Sequence, residues 1–314
     1  MEASARAEAR GRPEVILRTA RPRYGEKVIK GLLVLAASIS VLTTTGIVLS
    51  LVEETVQFFG EVSIGDYLFG TDWTPLFNPP SFGVLPIVLG TFIVSGIGML
   101  VAIPLGLGAA IYLSEYARPR VRKTIKPILE LLAGVPTIVF GYFALTFFTP
   151  EILRGLFGDQ VQIFNGLSAG IIVGFLIVPT VASISEDAMS AVPQSLREGA
   201  FGLGGSKLQV TLRVVFPAAL SGIVASLVLG LSRAVGETMV VLIAAGQQPQ
   251  WGANVFNPME TMTVFIGATA KGDISTGSLV YKTIFAVGMT LFVITLIMNL
   301  FSIRFVRKYR QVYE

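Results

Sequence analysis

The sequence predicts an all-α polytopic membrane protein with six transmembrane helices and both termini on the cytoplasmic side. Three observations predict this fold class. Of the 314 residues, 53% are hydrophobic and 14% are charged, whereas a soluble domain carries about 25% charged residues. Six apolar stretches are each long enough to cross a bilayer, which takes roughly 20 helical residues. Finally, basic residues are concentrated in alternate loops, as the positive-inside rule describes.

The six predicted spans account for most of the hydrophobic residues. They cover residues 28–52, 84–113, 128–149, 166–184, 216–246 and 279–303. The second and fifth are longer than a bilayer requires, so we expect tilt or extension into the interface. The predicted order is a basic cytoplasmic N-terminal tail (1–27), a first transmembrane helix (28–52), an extracytoplasmic loop (53–83), a core of five transmembrane helices (84–303) and a cytoplasmic C-terminal tail (304–314).

Loop charges set this orientation. Loop 53–83 contains five acidic and no basic residues, whereas the loop after the second span contains Arg118, Arg120, Arg122, Lys123 and Lys126. Both tails are also basic, which places them on the cytoplasmic side. We expect the N-terminal tail to be a solvated topogenic segment, and an arm that binds nucleic acid or anionic lipid is the alternative. For the chain as a whole we expect contact with membrane lipids and no nucleic-acid partner.

The chain contains no Cys and no His. This excludes disulfides, thiol nucleophiles, Cys/His metal clusters and histidine acid–base catalysis. A membrane enzyme is further disfavoured because no paired carboxylates and no nucleophile–base set occur at one interface. We therefore expect no catalytic residues, no metal site and no cofactor bound by this chain.

The fourth span begins with a glycine repeat. Gly166, Gly170 and Gly174 lie four residues apart and therefore share one helix face, where a neighbouring helix can approach closely. We expect this face to pack within the monomer, and a homodimer interface is the alternative.

The fifth span contains two charged residues, Arg233 and Glu237, at a depth where each costs roughly 2.5–3.5 kcal/mol on insertion scales. Two interpretations stay open. As neighbours on one helix face they can neutralise each other. Alternatively they line a substrate pathway, with the Arg233 fork binding a tetrahedral oxyanion and Glu237 keeping that binding weak. Ser232 and Thr238 would then supply neutral hydrogen-bond donors.

The residue pattern of the cytoplasmic loop 186–215 predicts two short amphipathic helices, with a break between them at Gly202, Gly204 and Gly205. Such a hairpin exposes an apolar face that needs a partner. The stretch GLGGSK within it is not a phosphate-binding loop, because Ser206 separates Gly205 from Lys207 and no Ser or Thr follows the lysine. ATP hydrolysis would therefore require a separate chain.

The spacing of this loop resembles the EAA loop of ABC importer permeases. Glu198-Gly199-Ala200, three residues, Gly204, nine residues, Val214, one residue and Phe216-Pro217 follow that pattern, with Gly199 in place of the first Ala. The resemblance implies a type I ABC importer permease fold whose 84–303 segment is the permease core. It also implies that the loop forms coupling helices seated on an ATPase through Glu198, Gly199, Ala200, Gly204 and Pro217.

Further stretches resemble the PstC type of phosphate-specific transport permeases, among them DWTPLFNPPSFGVLPIVLGT, LLAGVPTIVFGYFAL, SRAVGETMVVLIAAG and NPMETMTVFI. This resemblance implies an ATP-driven importer of inorganic phosphate in the bacterial cytoplasmic (inner) membrane. The implied partners are a second permease of the PstA type, two copies of a PstB-type ATP-binding subunit that carries the ATP and Mg, and a PstS-type phosphate-binding protein.

Other assignments remain open at this point. They are a PstA-type permease, a sulfate or molybdate permease, and an ion-coupled secondary transporter. A secondary transporter would have no need of the docking loop.

Overall fold

The computed structural model describes residues 24–309 and is almost entirely helical. The helices are α1 (Tyr24–Phe59), α2 (Ile64–Phe69), α3 (Leu85–Ile111), α4 (Pro119–Ala133), α5 (Thr137–Phe143), α6 (Arg154–Phe157), α7 (Gly166–Ser190), α8 (Gln194–Gly202), α9 (Lys207–Val210), α10 (Phe216–Ala218), α11 (Leu220–Val235), α12 (Met239–Ala244), α13 (Met262–Ala270) and α14 (Leu279–Tyr309). Segments with π-helical hydrogen bonding extend α3 (Tyr112–Tyr116), α5 (Ala144–Leu153) and α9 (Thr211–Val215), and a 3₁₀ turn spans Gly158–Gln160. A short antiparallel hairpin pairs β1 (Trp73–Thr74) with β2 (Ser81–Phe82). Residues 1–23 and 310–314, which belong to the predicted tails, lie outside the described residues.

Four helices in residues 24–309 are long and apolar enough to cross a membrane: α1, α3, α7 and α14. Two bent helix pairs bring the number to six if each pair is one span. The first pair joins α4 to α5 and its extension with a bend of 86°, and the second joins α9–α10 to α11 with a bend of 72°. The predicted all-α polytopic fold agrees with this architecture.

The bends correct two predicted spans. The third, 128–149, is not a straight helix, because α4 ends at Ala133 and the chain turns before Pro136. A proline disfavours helical backbone in the residue before it, which explains the turn. The fifth, 216–246, is interrupted twice, first at Ala219 between α10 and α11, and then at residues 236–238 between α11 and α12.

The chain divides between Ser50 and Leu51 into two units. In the first unit, α1 presents apolar side chains that are exposed on all sides, as expected of a helix surrounded by lipid. Helix α1 begins at Tyr24 and ends at Phe59. It is therefore longer at both ends than the predicted 28–52 span.

The second unit is built on the contact between α3 and α7. A Cβ atom at Gly174 would lie 2.8 Å from the Gly98 carbonyl oxygen and 2.7 Å from Cβ of Val101. One turn earlier, a Cβ atom at Gly170 would lie 2.6 Å from Cβ of Ile97. The two backbones therefore touch along the glycine face. This confirms the prediction that the glycine repeat packs within the monomer.

An aromatic layer covers the N-terminal end of α3. Phe58, Tyr67 and Trp73 are buried there, with Phe58 and Tyr67 in edge-to-face contact at 5.5 Å between ring centroids. Trp73 meets Phe265 of α13 in the same way at 4.8 Å. The Tyr67 hydroxyl lies 2.8 Å from Thr290 Oγ1 on α14. This layer joins α2, the hairpin, α13 and α14 on the side predicted to be extracytoplasmic.

We expect Gly174→Ala to destabilise the second unit. The added methyl group would overlap the α3 backbone, at a cost of about 1–3 kcal/mol that exceeds the roughly 1 kcal/mol gained in helix propensity. The thermal unfolding midpoint of the purified chain in detergent should fall by a few degrees. Gly96→Ala on α3 is the matched control, because a Cβ atom there meets nothing within 4 Å. Equal midpoints for the two variants would contradict the contact.

Candidate functional site

The break after α11 places the predicted site residues at helix ends. Helix α11 ends at Val235, residues 236–238 are not helical, and α12 begins at Met239. Gly236 donates its N–H to the Ser232 carbonyl oxygen (3.2 Å) and closes α11. Unpaired carbonyl groups of one helix and unpaired N–H groups of the next therefore come together at the break.

Glu237 stabilises this break. Its Oε1 accepts a hydrogen bond from the backbone N–H of Val240 (3.2 Å), which covers one of the free donors of α12. Its own carbonyl oxygen accepts from Thr263 Oγ1 on α13 (2.9 Å). The residue is 8% exposed. Glu237 therefore attaches the start of α12 to α13.

Arg233 does not pair with Glu237, so the interpretation in which the two neutralise each other is wrong. An (i, i+4) pair needs a continuous helix, and α11 ends two residues before Glu237. Arg233 donates from Nη1 to Thr180 Oγ1 (3.2 Å) on α7. Thr180 is the fifteenth of the 25 residues of α7, which places the contact near the middle of the bundle.

The guanidinium group of Arg233 retains most of its hydrogen-bonding capacity. It carries five N–H donors, of which one is used within the part of the chain that is described. None of the carboxylates in that part forms an ion pair with it. Its position in the last turn of α11 is favourable for a cation because of the helix dipole. Four donors remain for an oxyanion.

The other two predicted pathway residues lie elsewhere. The Ser232 hydroxyl is 3.5 Å from Asn299 Oδ1 on α14. Thr238 donates to the Gly236 carbonyl oxygen (3.4 Å), and its methyl group faces Gly267 on α13. The four residues therefore contact three different helices: Arg233 contacts α7, Ser232 contacts α14, and Glu237 and Thr238 contact α13.

The docking loop forms the predicted pair of short helices. Helix α8 ends at Gly202 and α9 begins at Lys207. Gly204 has a φ of +81°, a left-handed conformation that favours glycine. Ser206 then forms a capping box with Gln209, which sets the start of α9.

One face of this hairpin is buried and the other is exposed. Val210 and Val215 pack with Met189 and Ala110, at the ends of α7 and α3. The opposite face exposes large apolar side chains, with Leu203 at 92% exposure and Phe201, Leu208 and Leu212 also exposed. An apolar face of this kind on a protein surface marks an interaction site.

The residues of the EAA-like pattern lie on α8, in the turn at Gly204 and on α10. Glu198 and Gly199 are exposed on α8, and a Cβ atom at Gly199 would meet nothing within 4 Å. Ala200 is partly buried, and its carbonyl oxygen accepts from the N–H of Gly205 (3.1 Å). Pro217 lies in the first turn of α10, before the bend at Ala219.

Arg197 attaches α8 to the bundle, a role that the sequence analysis missed. Its Nη2 donates to the Met189 carbonyl oxygen (2.7 Å) and to Glu115 Oε1 (3.1 Å), and its Nη1 donates to the Val192 carbonyl oxygen. Both charged groups of the Arg197–Glu115 pair are nearly buried. Lys207 adds a second attachment, with its Nζ 4.9 Å from the centre of the Tyr116 ring. Arg197 was one of several basic loop residues, and nothing in the local pattern separated it from the others.

A buried carboxylate connects α4 to α7 in the same region. Glu186 has no exposed surface and forms ion pairs with Arg122 and with Lys126 Nζ (2.8 Å). Ser190 Oγ donates to Glu186 Oε1 (2.8 Å). The sequence signal for this cluster was an acidic pair at the end of one span beside a basic loop, but their contact depends on the tertiary fold. Residues 24–309 contain no group of His, Cys, Asp or Glu side chains suited to a metal ion.

Comparison with known proteins gives a consistent family. Residues 102–311 match the family described as "binding-protein-dependent transport system inner membrane component". The chain is 32% identical over 283 residues to the probable ABC transporter permease protein YqgH of Bacillus subtilis (strain 168), covering 90% of this chain and 88% of the relative. It is 31% identical over 306 residues to the phosphate transport system permease protein PstC of Haemophilus influenzae, covering 91% and 94%. It is 34% identical over 281 residues to the PstC protein of Mesorhizobium japonicum, covering 83% and 84%.

Solved structures share the fold. A bacterial ABC transporter for import of the acidic polysaccharide alginate matches with a TM-score of 0.62 at 15% identity, over 92% of this chain and 100% of the other. The MetNI methionine ABC transporter in an inward-facing conformation matches with a TM-score of 0.53 at 19% identity, over 73% and 95%. The predicted type I ABC importer permease fold is thereby confirmed.

We expect Arg197→Ala to loosen α8. The substitution removes three hydrogen bonds and leaves Glu115 without its cation, which costs on the order of 1–3 kcal/mol. Amide hydrogen exchange across residues 194–202 should therefore accelerate by about 10- to 100-fold. Arg213→Ala is the control, because Arg213 is exposed in the same loop and makes no ion pair within residues 24–309. Similar exchange rates in both variants would exclude the attachment role.

Proposed function

The chain belongs to the binding-protein-dependent transport system inner membrane component family, and we propose that it is the permease subunit that moves inorganic phosphate across the bacterial cytoplasmic membrane in an ATP-driven importer. Family membership makes it a multi-pass ABC importer permease. The choice of phosphate is supported by the phosphate transport system permeases among its relatives. It is also supported by the chemistry at the α11–α12 break.

Arg233 is the observation on which the phosphate assignment depends. A guanidinium near the middle of the bundle, with four free donors and no carboxylate partner among the described residues, is suited to bidentate contact with a tetrahedral oxyanion. It also stays charged at every physiological pH. Unpaired intramembrane charges usually face a substrate route. Phosphate passing the break would therefore exchange water for the Arg233 donors.

Glu237, Thr238 and Ser232 have supporting roles in this proposal. Glu237 holds the break open by capping α12, and its negative charge near the route keeps phosphate from binding too tightly to be released. The Ser232 and Thr238 hydroxyls are the proposed neutral donors, and in this structure they bond to Asn299 and to the Gly236 carbonyl oxygen. This arrangement would give a weak and transient site, as conduction requires.

The α8–α10 hairpin is the proposed seat of the ATP-binding subunit. Glu198 and Gly199 are exposed, Gly204 and Ala200 form the turn, and Pro217 ends the hairpin at the bend. Two copies of a PstB-type subunit would supply ATP and Mg, and ATP hydrolysis would take place entirely on them. A PstA-type permease would complete the membrane pair, and a PstS-type protein would deliver phosphate to the loops 53–83 and 247–277.

Movement at the hairpin can reach Arg233 through a continuous helix. Helix α11 has 16 residues, or about 24 Å of rise, between the bend at Ala219 and the break at Gly236. The Arg197–Glu115 pair carries the same movement to the end of α3. Closure of the ATP-binding subunits would therefore shift both walls of the route, as in domain closure around a ligand.

We expect Arg233→Gln to reduce ATP-driven phosphate uptake by at least about tenfold, since one charge-assisted hydrogen bond contributes roughly 1.5–3 kcal/mol. Arg233→Lys keeps the positive charge but lacks the forked guanidinium. Its phosphate uptake should lie between that of the unaltered importer and that of Arg233→Gln. Uptake into proteoliposomes that contain the whole importer is compared across phosphate, sulfate and molybdate, with Arg120→Gln, at an exposed position of α4, as control. Unchanged phosphate uptake in Arg233→Gln would refute the pathway role. Preferential uptake of sulfate or molybdate by the unaltered importer would move the assignment to another oxyanion.

We expect Glu198→Lys to weaken assembly with the ATP-binding subunit, because it reverses an exposed charge on α8. Co-purification should fall by about tenfold, and uptake should fall in parallel. Asp159→Lys, at an exposed position in the turn Gly158–Gln160, is the matched charge reversal outside the hairpin. Loss of assembly in both variants would indicate a general charge effect. If no ATPase co-purifies with the unaltered chain and uptake follows an ion gradient, the protein is a secondary transporter.

A further inference from the structure

A cavity of about 640 Å³ lies beside the N-terminal end of α3, on the side predicted to be extracytoplasmic. Its aromatic walls include Trp73, Trp251 and Phe265. Its acidic groups are Asp72, Glu260 and Asp273. No lysine or arginine of residues 24–309 lines it. The cavity is therefore both aromatic and acidic.

Glu260 is the unusual member of this set. It is 7% exposed, and its carboxyl group has no hydrogen-bond or ion-pair partner anywhere in residues 24–309. It lies outside the membrane spans, in the segment before α13, and burial raises its pKa to about 8. The close approach of α3 at Gly90, where a Cβ atom would lie 2.2 Å from the Glu260 carbonyl oxygen, holds its backbone in place. Its carboxyl oxygens are not enclosed by the protein and open into the cavity, where a group from another molecule can reach them.

Trp73 lines the same cavity with its ring, while its indole N–H is enclosed by the protein. The residue is 3% exposed, and its indole Nε1–H has no acceptor among the described residues. A buried donor left without a partner costs about 1–3 kcal/mol. The cavity thus presents aromatic faces and three carboxyl groups, whose partners come from outside the described chain.

This combination matches a peptide segment with a basic side chain. A cation is attracted to carboxylates and to the faces of aromatic rings, and its aliphatic stem packs on apolar walls. A bare metal ion fits poorly, because no metal-binding group of side chains is found in residues 24–309.

We propose that the cavity between the β1–β2 hairpin and α13 binds a lysine or arginine side chain of the extracytoplasmic binding protein when that protein docks. The proposal rests on the proposed function, which supplies such a partner. The occupant's cation contacts Glu260, Asp72 and Asp273, and its aliphatic stem packs on the aromatic walls. Charge complementarity selects the partner face and speeds docking.

The position of Glu260 connects this cavity to the helix break. Glu260 is three residues before Thr263, whose hydroxyl donates to the Glu237 carbonyl oxygen (2.9 Å). Thr261, between them, caps α13 by accepting from the Val264 N–H (3.4 Å). Docking at the cavity therefore acts on the start of α13, which holds one side of the break beside Arg233.

The first test uses the tryptophan fluorescence of the full chain purified in detergent. The chain has two tryptophans, and both line the cavity. The probes are blocked pentapeptides with a central lysine, glutamine or glutamate between alanines. We expect the lysine peptide to bind at least about tenfold more tightly than the glutamine peptide, and the glutamate peptide to give no signal. Equal responses to all three peptides would overturn the proposal.

The matched variants are Glu260→Gln, Asp273→Asn and Asp159→Asn. The first two should reduce the preference for lysine to within about twofold. The third removes an exposed carboxylate on the same predicted side but outside the cavity, and should leave the preference unchanged. Asp273 is exposed, so its variant keeps the test valid if Glu260→Gln fails to fold. If Asp273→Asn and a folded Glu260→Gln both retain the preference for lysine, the site is refuted.

The affinity for the lysine peptide should depend on pH through the ionisation of Glu260. A bound cation favours the ionised carboxylate, so the pKa of Glu260 is lower with the peptide bound than in the free chain. Affinity for the lysine peptide should therefore rise between about pH 6 and pH 9, while the lysine stays charged below its pKa of about 10.4. Asp72 and Asp273 are the other titratable groups lining the cavity. Affinity that falls over this range, or a rise that persists in Glu260→Gln, would contradict the assignment.

The second test measures affinity of the binding protein for the assembled importer. Glu260→Gln and Asp273→Asn should each weaken it by about tenfold, and Asp159→Asn should not. Unchanged affinity with an intact lysine-peptide response would assign the cavity to another basic partner and refute the named occupant. If the chain self-associates and Glu260→Gln abolishes this association, the occupant of the cavity is a second copy of the chain and the named occupant is refuted. If no binding protein docks at all but the peptide response is intact, the proposed function fails and the site does not.

Discussion

The backbone contact between α3 and α7 is the constraint on which the rest of the second unit depends. Inside a bilayer, helices gain little from burying apolar side chains against each other, so close packing of small residues has to hold them together. Gly170 and Gly174 permit this approach, and α11 packs on the resulting pair, with Gly230 against Ile177 and Val181. Each end of the pair then carries one of the two proposed binding surfaces. The aromatic layer lies at the start of α3, and the docking hairpin lies at its end.

Interruptions of the helices create the chemistry that the packed pair supports. A continuous fifth span would place Arg233 and Glu237 on one face, where they would neutralise each other. The break at residues 236–238 separates them, so Arg233 contacts Thr180 and Glu237 caps α12. A guanidinium with free donors at this depth is costly for folding. Its cost is offset in part by the dipole of α11, and it leaves a group that can bind an anion.

Charge organises the two surfaces in opposite ways. At the docking end, buried ion pairs join elements of the chain to each other, as Glu186 does with Arg122 and Lys126. At the opposite end, Glu260 is buried without a partner in the described chain. Satisfied pairs make a rigid connection, whereas an unsatisfied carboxyl gives a site for a group from another molecule. The roughly 40 Å length of α3 separates these two surfaces.

The sequence by itself determined the membrane class, the helical stretches, the glycine face and the turn of the docking hairpin. Composition, helical spacing and glycine chemistry act over a few residues, so the printed order of residues is sufficient for them. The resemblance to ABC importer permeases likewise depended on spacing within one loop. Only the tertiary structure decided that Arg233 meets Thr180, that Arg197 rather than Glu198 faces the bundle, and that Glu260 shares a cavity with Trp73. Each of these contacts depends on where helices bend and pack. Local patterns carry no information on contacts between distant segments.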